Sequence, residues 1–242
     1  MKTNRLGHDL RYDAVIFDLF GTLTQTLAWA TLEQMADAMA ACLGLPQDAF
    51  RQAWYATNTA RDLGVFAHCT ATLSHCCAAL GVVVLPQQIA QACAIRFAAL
   101  RGALTLRDDA IETLHRLRRQ GLRIGLISDA SFDDVTLWPT TPLAGLVDAA
   151  VFSCREGVKK PDPRLYQCAG ERLAVSLTRC LYVGDGGSNE LAGAAGVGMD
   201  ALLIQPSHAI PEGGYRPGGV SWTGPRIARL SEIPSLVTRG SI

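Results

Sequence analysis

The feature that most constrains this 242-residue chain is a set of short apolar runs separated by amphipathic stretches. "AVIF" at 14–17, "LRIGLISD" at 122–129, "AAVFS" at 149–153, "CLYVGD" at 180–185 and "ALLI" at 201–204 are each too short for a helix and mostly apolar. Runs of that kind are strands buried on both faces, and helical crossovers such as "DDAIETLHRLRRQG" and "DPRLYQCAGERL" make the sheet parallel. Between the first run and the second the pattern changes. Residues 28–100 carry helical spacing only, in about four stripes: Leu32, Met35, Met39 and Leu43; Phe50 and Trp54; Cys69 to Leu80; and Ile89, Cys93, Phe97 and Leu100. The expected fold is α/β: a Rossmann-like parallel-sheet core over 12–27 and 101–242, with an inserted all-helical unit over 28–100. The polar tail before residue 12 and the Pro- and Gly-rich loop at 206–224 lie outside these elements.

Composition narrows the function. Lys+Arg and Asp+Glu both number 22, so no global field draws the chain to nucleic acid or an anionic membrane. No apolar run reaches the roughly 18 residues of a membrane span, and "MKTNRLGHDLRYD" has no apolar leader region. A cytoplasmic protein, monomer or homodimer, is expected. Eight cysteines sit in apolar patterns without CxxC spacing and read as buried thiols. In "HCTATLSHCC", His68, Cys69, His75, Cys76 and Cys77 could be metal ligands, but Cys69, Leu73, Cys76 and Leu80 recur as a helical core stripe.

In a parallel sheet, ligands bind beyond the carboxyl ends of the strands. That edge gathers Asp18 after the first strand, Ser128 and Asp129 after the second, and Asp185 after the fourth. Lys160 precedes a helix start, and Glu190 lies in the first turn of its helix. Only three lysines exist, Lys2, Lys159 and Lys160, so an adjacent pair stands out. A carboxylate such as Asp18 can attack phosphorus or carbon and form an ester that water cleaves. For phosphoryl transfer, Lys160 and the Ser128 hydroxyl can neutralise the equatorial oxygens. The bland alternatives are a turn cap for Asp18, a solvated Lys160, a helix-dipole acid at Glu190 and a backbone-satisfying Ser128.

"FDLFGTLT", "GLISD", "GVKKPDPRLY" and "YVGDGGSNELAGAAGVGM" together resemble the four successive motifs of the haloacid dehalogenase superfamily, in order and over residues 12–204. The resemblance implies Asp18 as nucleophile, Ser128 and Lys160 as catalytic partners, and a helical cap over 28–100. It also implies Mg²⁺ held by Asp18, Asp185, Glu190 and the backbone carbonyl of Phe20, with Asn189 or Asp129 as possible substitutes. Thr22, Ser128, Asp129 and Lys160 are the substrate contacts expected from the core. Trp54 and Arg61, spaced with Asn58 along one helix face, are those expected from the insert, although packing inside the insert explains Trp54 equally well.

Phe20 departs from that pattern. Phosphatases of the superfamily carry a second aspartate there, which protonates the leaving group and then activates water. Three readings stay open: a Mg²⁺-dependent phosphatase of a small phosphorylated metabolite, drawing its proton from Thr22, Thr24, Asp129, an insert residue or water; a 2-haloacid dehalogenase, whose halide leaves unprotonated; and a non-catalytic relative binding a phosphorylated ligand or a protein partner. Dehalogenases of this type carry neutral residues at the Asp185 position. Three carboxylates together repel unless a cation joins them, which favours the first reading. Phosphonate hydrolysis through a Schiff base requires a lysine in the insert, and 28–100 contains none.

Overall fold

The computed structural model describes residues 10–205 and 222–238. Most of the loop expected at 206–224 therefore lies outside the described residues, as does the tail up to residue 9. Strands β1 (Ala14–Phe17), β2 (Arg123–Ser128), β3 (Ala149–Phe152), β4 (Cys180–Gly184), β5 (Asp200–Ile204) and β6 (Arg226–Ile227) form one sheet, in the order β3-β2-β1-β4-β5-β6. Every pairing is parallel. β1 is central and fully buried, and its side chains alternate between two cores. Val15 and Phe17 pack with Leu114, Leu117 and Ile233 on one face; Ala14 and Ile16 pack with Leu165, Tyr166 and Leu173 on the other. Continuous apolarity, rather than alternation, is what two-sided burial demands.

The insert between β1 and β2 holds five helices: α1 (Trp29–Leu43), α2 (Gln47–Ala56), α3 (Asn58–Asp62), α4 (Cys69–Ala79) and α5 (Pro86–Ala103). They enclose a third core of Met35, Met39, Phe50, Trp54, Leu73 and Cys93, among others. Gly44, with φ +69°, ends α1 in the left-handed conformation. Two findings differ from the sequence pattern. Thr57 separates α2 from α3, its hydroxyl donating to Trp54 O at 2.6 Å, so Trp54, Asn58 and Arg61 do not share one helix. On α5 the buried stripe runs through Arg96 rather than Phe97. The chain leaves and re-enters the sheet layer through adjacent segments, tied by Gln25 N–H to Thr105 O at 2.9 Å and Arg107 N–H to Leu23 O at 3.0 Å.

The remaining helices are α6 (Ala110–Arg119), α7 (Phe132–Leu137), α8 (Ser153–Glu156), α9 (Pro163–Leu173), α10 (Glu190–Gly196) and α11 (Ile233–Leu236). The eight cysteines are free thiols. Among the described residues no helix is long and apolar enough to cross a membrane.

Candidate active site

Strand register sets the site. Phe17 lies level with Leu126 of β2 and Val183 of β4, and β1, β2 and β4 end within two residues of that level, at one sheet edge. Asp18 is anchored there by its own N–H, which donates to Val183 O at 2.9 Å. Asp185 follows β4, and its Oδ1 accepts from Gly187 N at 3.0 Å. The chain passes Asp185 very closely at Gly21: a Cβ there would stand 2.5 Å from Asp185 Oδ2, at φ +76°. Glycine is required at that position by both space and backbone conformation.

Lys160 reaches the same edge from the loop between α8 and α9. Its N–H donates to Asp129 Oδ1 at 2.9 Å, which seats the loop. Its ammonium donates to Asp18 Oδ1 at 2.6 Å and to Glu190 Oε2 at 2.7 Å. Glu190 is fully buried. Its Oε2 also accepts from the Tyr182 hydroxyl at 2.8 Å, and its Oε1 accepts from Gly186 N at 2.9 Å. Three of its roughly four acceptor positions are thereby filled. Burial, with Glu190 and Asp185 alongside, holds the Asp18 carboxyl well above the usual range despite the Lys160 ammonium.

Oxygens of Asp18, Asp185 and Glu190 all lie within 4.8 Å of one another. Two oxygens on opposite sides of one small hard cation stand about 4.2 Å apart, so slight side-chain rotation brings all three to bonding distance. Oxygen donors, with carboxylates among them, are what such a cation takes. The residues fit a metal.

The site opens into a cavity of about 530 Å³ that is also walled by the insert, through Trp29, Trp54, Tyr55 and Arg61. Phe20 and Asp129 line it as well. Ser128 and Thr22 do not: both are fully buried, with the Ser128 hydroxyl 3.4 Å from Asp129 O and the Thr22 hydroxyl without a partner. Ser188 and Asn189 adopt left-handed backbone, and Asn189 stands at the N-cap of α10. His68 and His75 are exposed; His68 caps α4 and His75 packs on Phe66, while Cys69, Cys76 and Cys77 belong to the insert core. Among the described residues the only cluster able to hold a metal is the carboxylate trio.

The sequence pattern missed two links between insert and sheet layer. Lys159 Nζ donates to Asp62 Oδ2 at 2.5 Å, and Arg96 Nε lies 3.6 Å from Asp133 Oδ2. The signal for the second was an arginine at a buried position of the α5 stripe.

A family model described as haloacid dehalogenase-like hydrolase matches residues 12–198. The chain is 36% identical over 110 residues to a phosphatase of Mycobacterium tuberculosis, covering 45% of this chain and 50% of that protein. It thus spans about half the length of this curated relative. Among solved structures, a phosphatase from Thermococcus onnurineus superposes with a TM-score of 0.62 at 22% identity, covering 93% of this chain and 97% of that one. A 2-haloacid dehalogenase from Pseudomonas syringae pv. tomato superposes with 0.66 at 22% identity and the same coverage. Such identities speak to the fold. The carboxylate-and-lysine edge of this parallel sheet and the match over residues 12–198 place the chain among the haloacid dehalogenase-like hydrolases.

Proposed function

We propose that the chain is a Mg²⁺-dependent phosphatase of a small phosphorylated metabolite, working through an aspartyl-phosphate on Asp18. The observation that carries this reading is the grouping of Asp18, Asp185 and Glu190, with the Lys160 ammonium on two of them, Asp18 and Glu190. Three carboxylates this close together in a buried place repel one another. A divalent cation among them would relieve that repulsion and supply charge neutralisation for the transferring phosphoryl oxygens. Asp18 and Asp185, with the Phe20 carbonyl, are its proposed main ligands; Glu190 completes the set with its remaining acceptor position while fixing Lys160.

In the proposed reaction Asp18 attacks phosphorus and the ester oxygen departs. Lys160, held by Glu190, stays beside the nucleophile and stabilises the phosphoryl oxygens. Water then attacks the phosphoryl group and frees Asp18. Phe20 can neither donate nor accept a proton, so the relay falls to Asp129, whose Oδ2 is buried on the cavity wall without a hydrogen-bond partner. Ser128 and Thr22 act from behind the wall by supporting the strand ends. Helices α1–α5 serve as a cap that encloses the substrate and excludes water.

A second reading, a 2-haloacid dehalogenase, draws on Phe20 and on the Lys160 ammonium at 2.6 Å from the nucleophile. One experiment separates the readings: phosphate release from an aryl phosphate with and without Mg²⁺, beside chloride release from 2-chloropropionate. Metal-dependent phosphate release that Asp18→Asn abolishes is expected. Metal-independent chloride release overturns the proposal, and silence in both assays points to the non-catalytic relative.

A further inference from the structure

Arg61 is 7% exposed and stands on the wall of the cavity that also holds Asp18 and Lys160. Its Nη2 donates to Asn58 Oδ1, while Nε and Nη1 are buried and have no acceptor. Among the described residues it forms no ion pair with a carboxylate. The acids nearby are engaged elsewhere: Asp62 with Lys159, and Asp134 with the N–H and hydroxyl of Ser131. A second arginine, Arg96, is 8% exposed and lines the same cavity, with its Nε also lacking an acceptor and Asp133 no closer than 3.6 Å. Both guanidinium groups lie against Trp54, their central carbons 3.9 Å and 5.6 Å from the ring centroid.

Two buried arginines side by side on a cavity wall, Arg96 paired with Asp133 at 3.6 Å and Arg61 with no carboxylate, both holding buried N–H groups that lack an acceptor, are costly for the fold. An apolar side chain of similar length would pack on Trp54 without that cost, so support of Trp54 does not account for them. Trp54 and Asn58 fix the Arg61 guanidinium in place, which limits the entropy lost when an anion binds. A modest turn of the Arg61 guanidinium would bring those N–H groups to an anion in the cavity and give them an acceptor.

We propose that Arg61, with Arg96 beside it, forms an anion subsite that selects phosphorylated substrates carrying a second anionic group, a carboxylate or a second phosphate. The identity of the reacting group rests on the phosphatase reading; the subsite itself rests on Arg61 and Arg96.

The test is equilibrium binding by calorimetry to the Asp18→Asn protein with Mg²⁺ present, using ligand pairs that differ by one anion. 2-Phosphoglycolate is compared with ethyl phosphate, and 1,3-propanediol bisphosphate with propyl phosphate. In at least one pair the second anion should tighten binding about 10–100-fold, the size of charge-assisted hydrogen bonds to a buried arginine. The pair showing the gain tells carboxylate from phosphate. Adding Arg61→Gln should level that pair, and Arg61→Met, which keeps the aliphatic length, reads the same result if the glutamine variant fails to fold. Equal affinities within both pairs, or a preference that survives loss of Arg61, overturns the subsite. If the preference holds while the unmutated protein releases no phosphate from any of the four compounds, the phosphatase reading falls and the subsite stands. Phosphate release with equal affinities within both pairs gives the reverse.

Discussion

The Lys160 ammonium sits 2.7 Å from Glu190 Oε2 and 2.6 Å from Asp18 Oδ1, so one buried cation is shared by two buried acids. Glu190 is held in turn by Tyr182 and Gly186, so the lysine has no slack. Removing the cation strands Asp18 and Glu190 as buried acids. Breaking a buried pair by deleting one partner costs about 3–5 kcal/mol. Lys160→Met is therefore expected to lose stability on that scale in divalent-free buffer, measured by chemical denaturation. Glu190→Gln should lose less, because an amide oxygen still accepts from Tyr182 or Gly186. An unchanged denaturation midpoint in Lys160→Met would show that the charges are not coupled.

Gly21 leads to a second prediction. An alanine there places Cβ 2.5 Å from Asp185 Oδ2 and keeps a side chain at φ +76°. The left-handed conformation alone costs about 1 kcal/mol or more for a non-glycine residue. The clash also pushes Asp185 off its position. Gly21→Ala should lower the melting temperature, and the rise in melting temperature that Mg²⁺ gives the unmutated protein should shrink. A full Mg²⁺ response in the variant would remove Asp185 from the proposed ligands.

Much of this site is legible in the sequence because two-sided burial leaves few choices. "AVIF" must be a central strand, and a parallel sheet delivers Asp18, Asp129 and Asp185 to one edge. Side-chain direction is harder. Thr22 and Ser128 were expected at the substrate; both are fully buried and neither is among the cavity-lining residues, a matter of orientation that a single residue of the turn after each strand decides. Arg96 was overlooked because a search for apolar periodicity passes over an arginine and takes Phe97 as the next stripe position. The break at Thr57 was equally hidden. Its signal is a hydroxyl that satisfies the Trp54 carbonyl, a local competition with the helix that threonine offers but does not announce.

Phe20 lines the cavity and packs partly against the sheet core, so an acid at this position would face the substrate from a supported backbone. General acid–base catalysis contributes about 10²–10⁴-fold. Phe20→Asp should raise kcat with an alkyl phosphate, whose alkoxide needs a proton, by about tenfold or more. It should do much less with an aryl phosphate, whose phenolate departs unaided. Steady-state phosphate release with both compounds reads the difference. Equal effects on the two would mean that proton delivery does not limit the reaction.

Asp133 gives the pH dependence. Its side chain is 4% exposed, and Arg96 lies 3.6 Å away in the insert. Burial holds its carboxyl above the ordinary value of 3.8; Arg96 and Arg61 oppose the rise and Asp134 adds to it. A raised value means that the folded form holds the proton more tightly than the unfolded chain. The contribution of this group is therefore full below the unfolded value and is lost as pH rises through the folded one. Asp133→Asn has no proton to lose. Between about pH 4 and about pH 7, the unmutated protein should lose stability relative to Asp133→Asn, read from urea midpoints at both ends. A relative gain over that interval would mean that Arg96 outweighs burial, and that the cation is then better neutralised within the chain than the anion subsite requires.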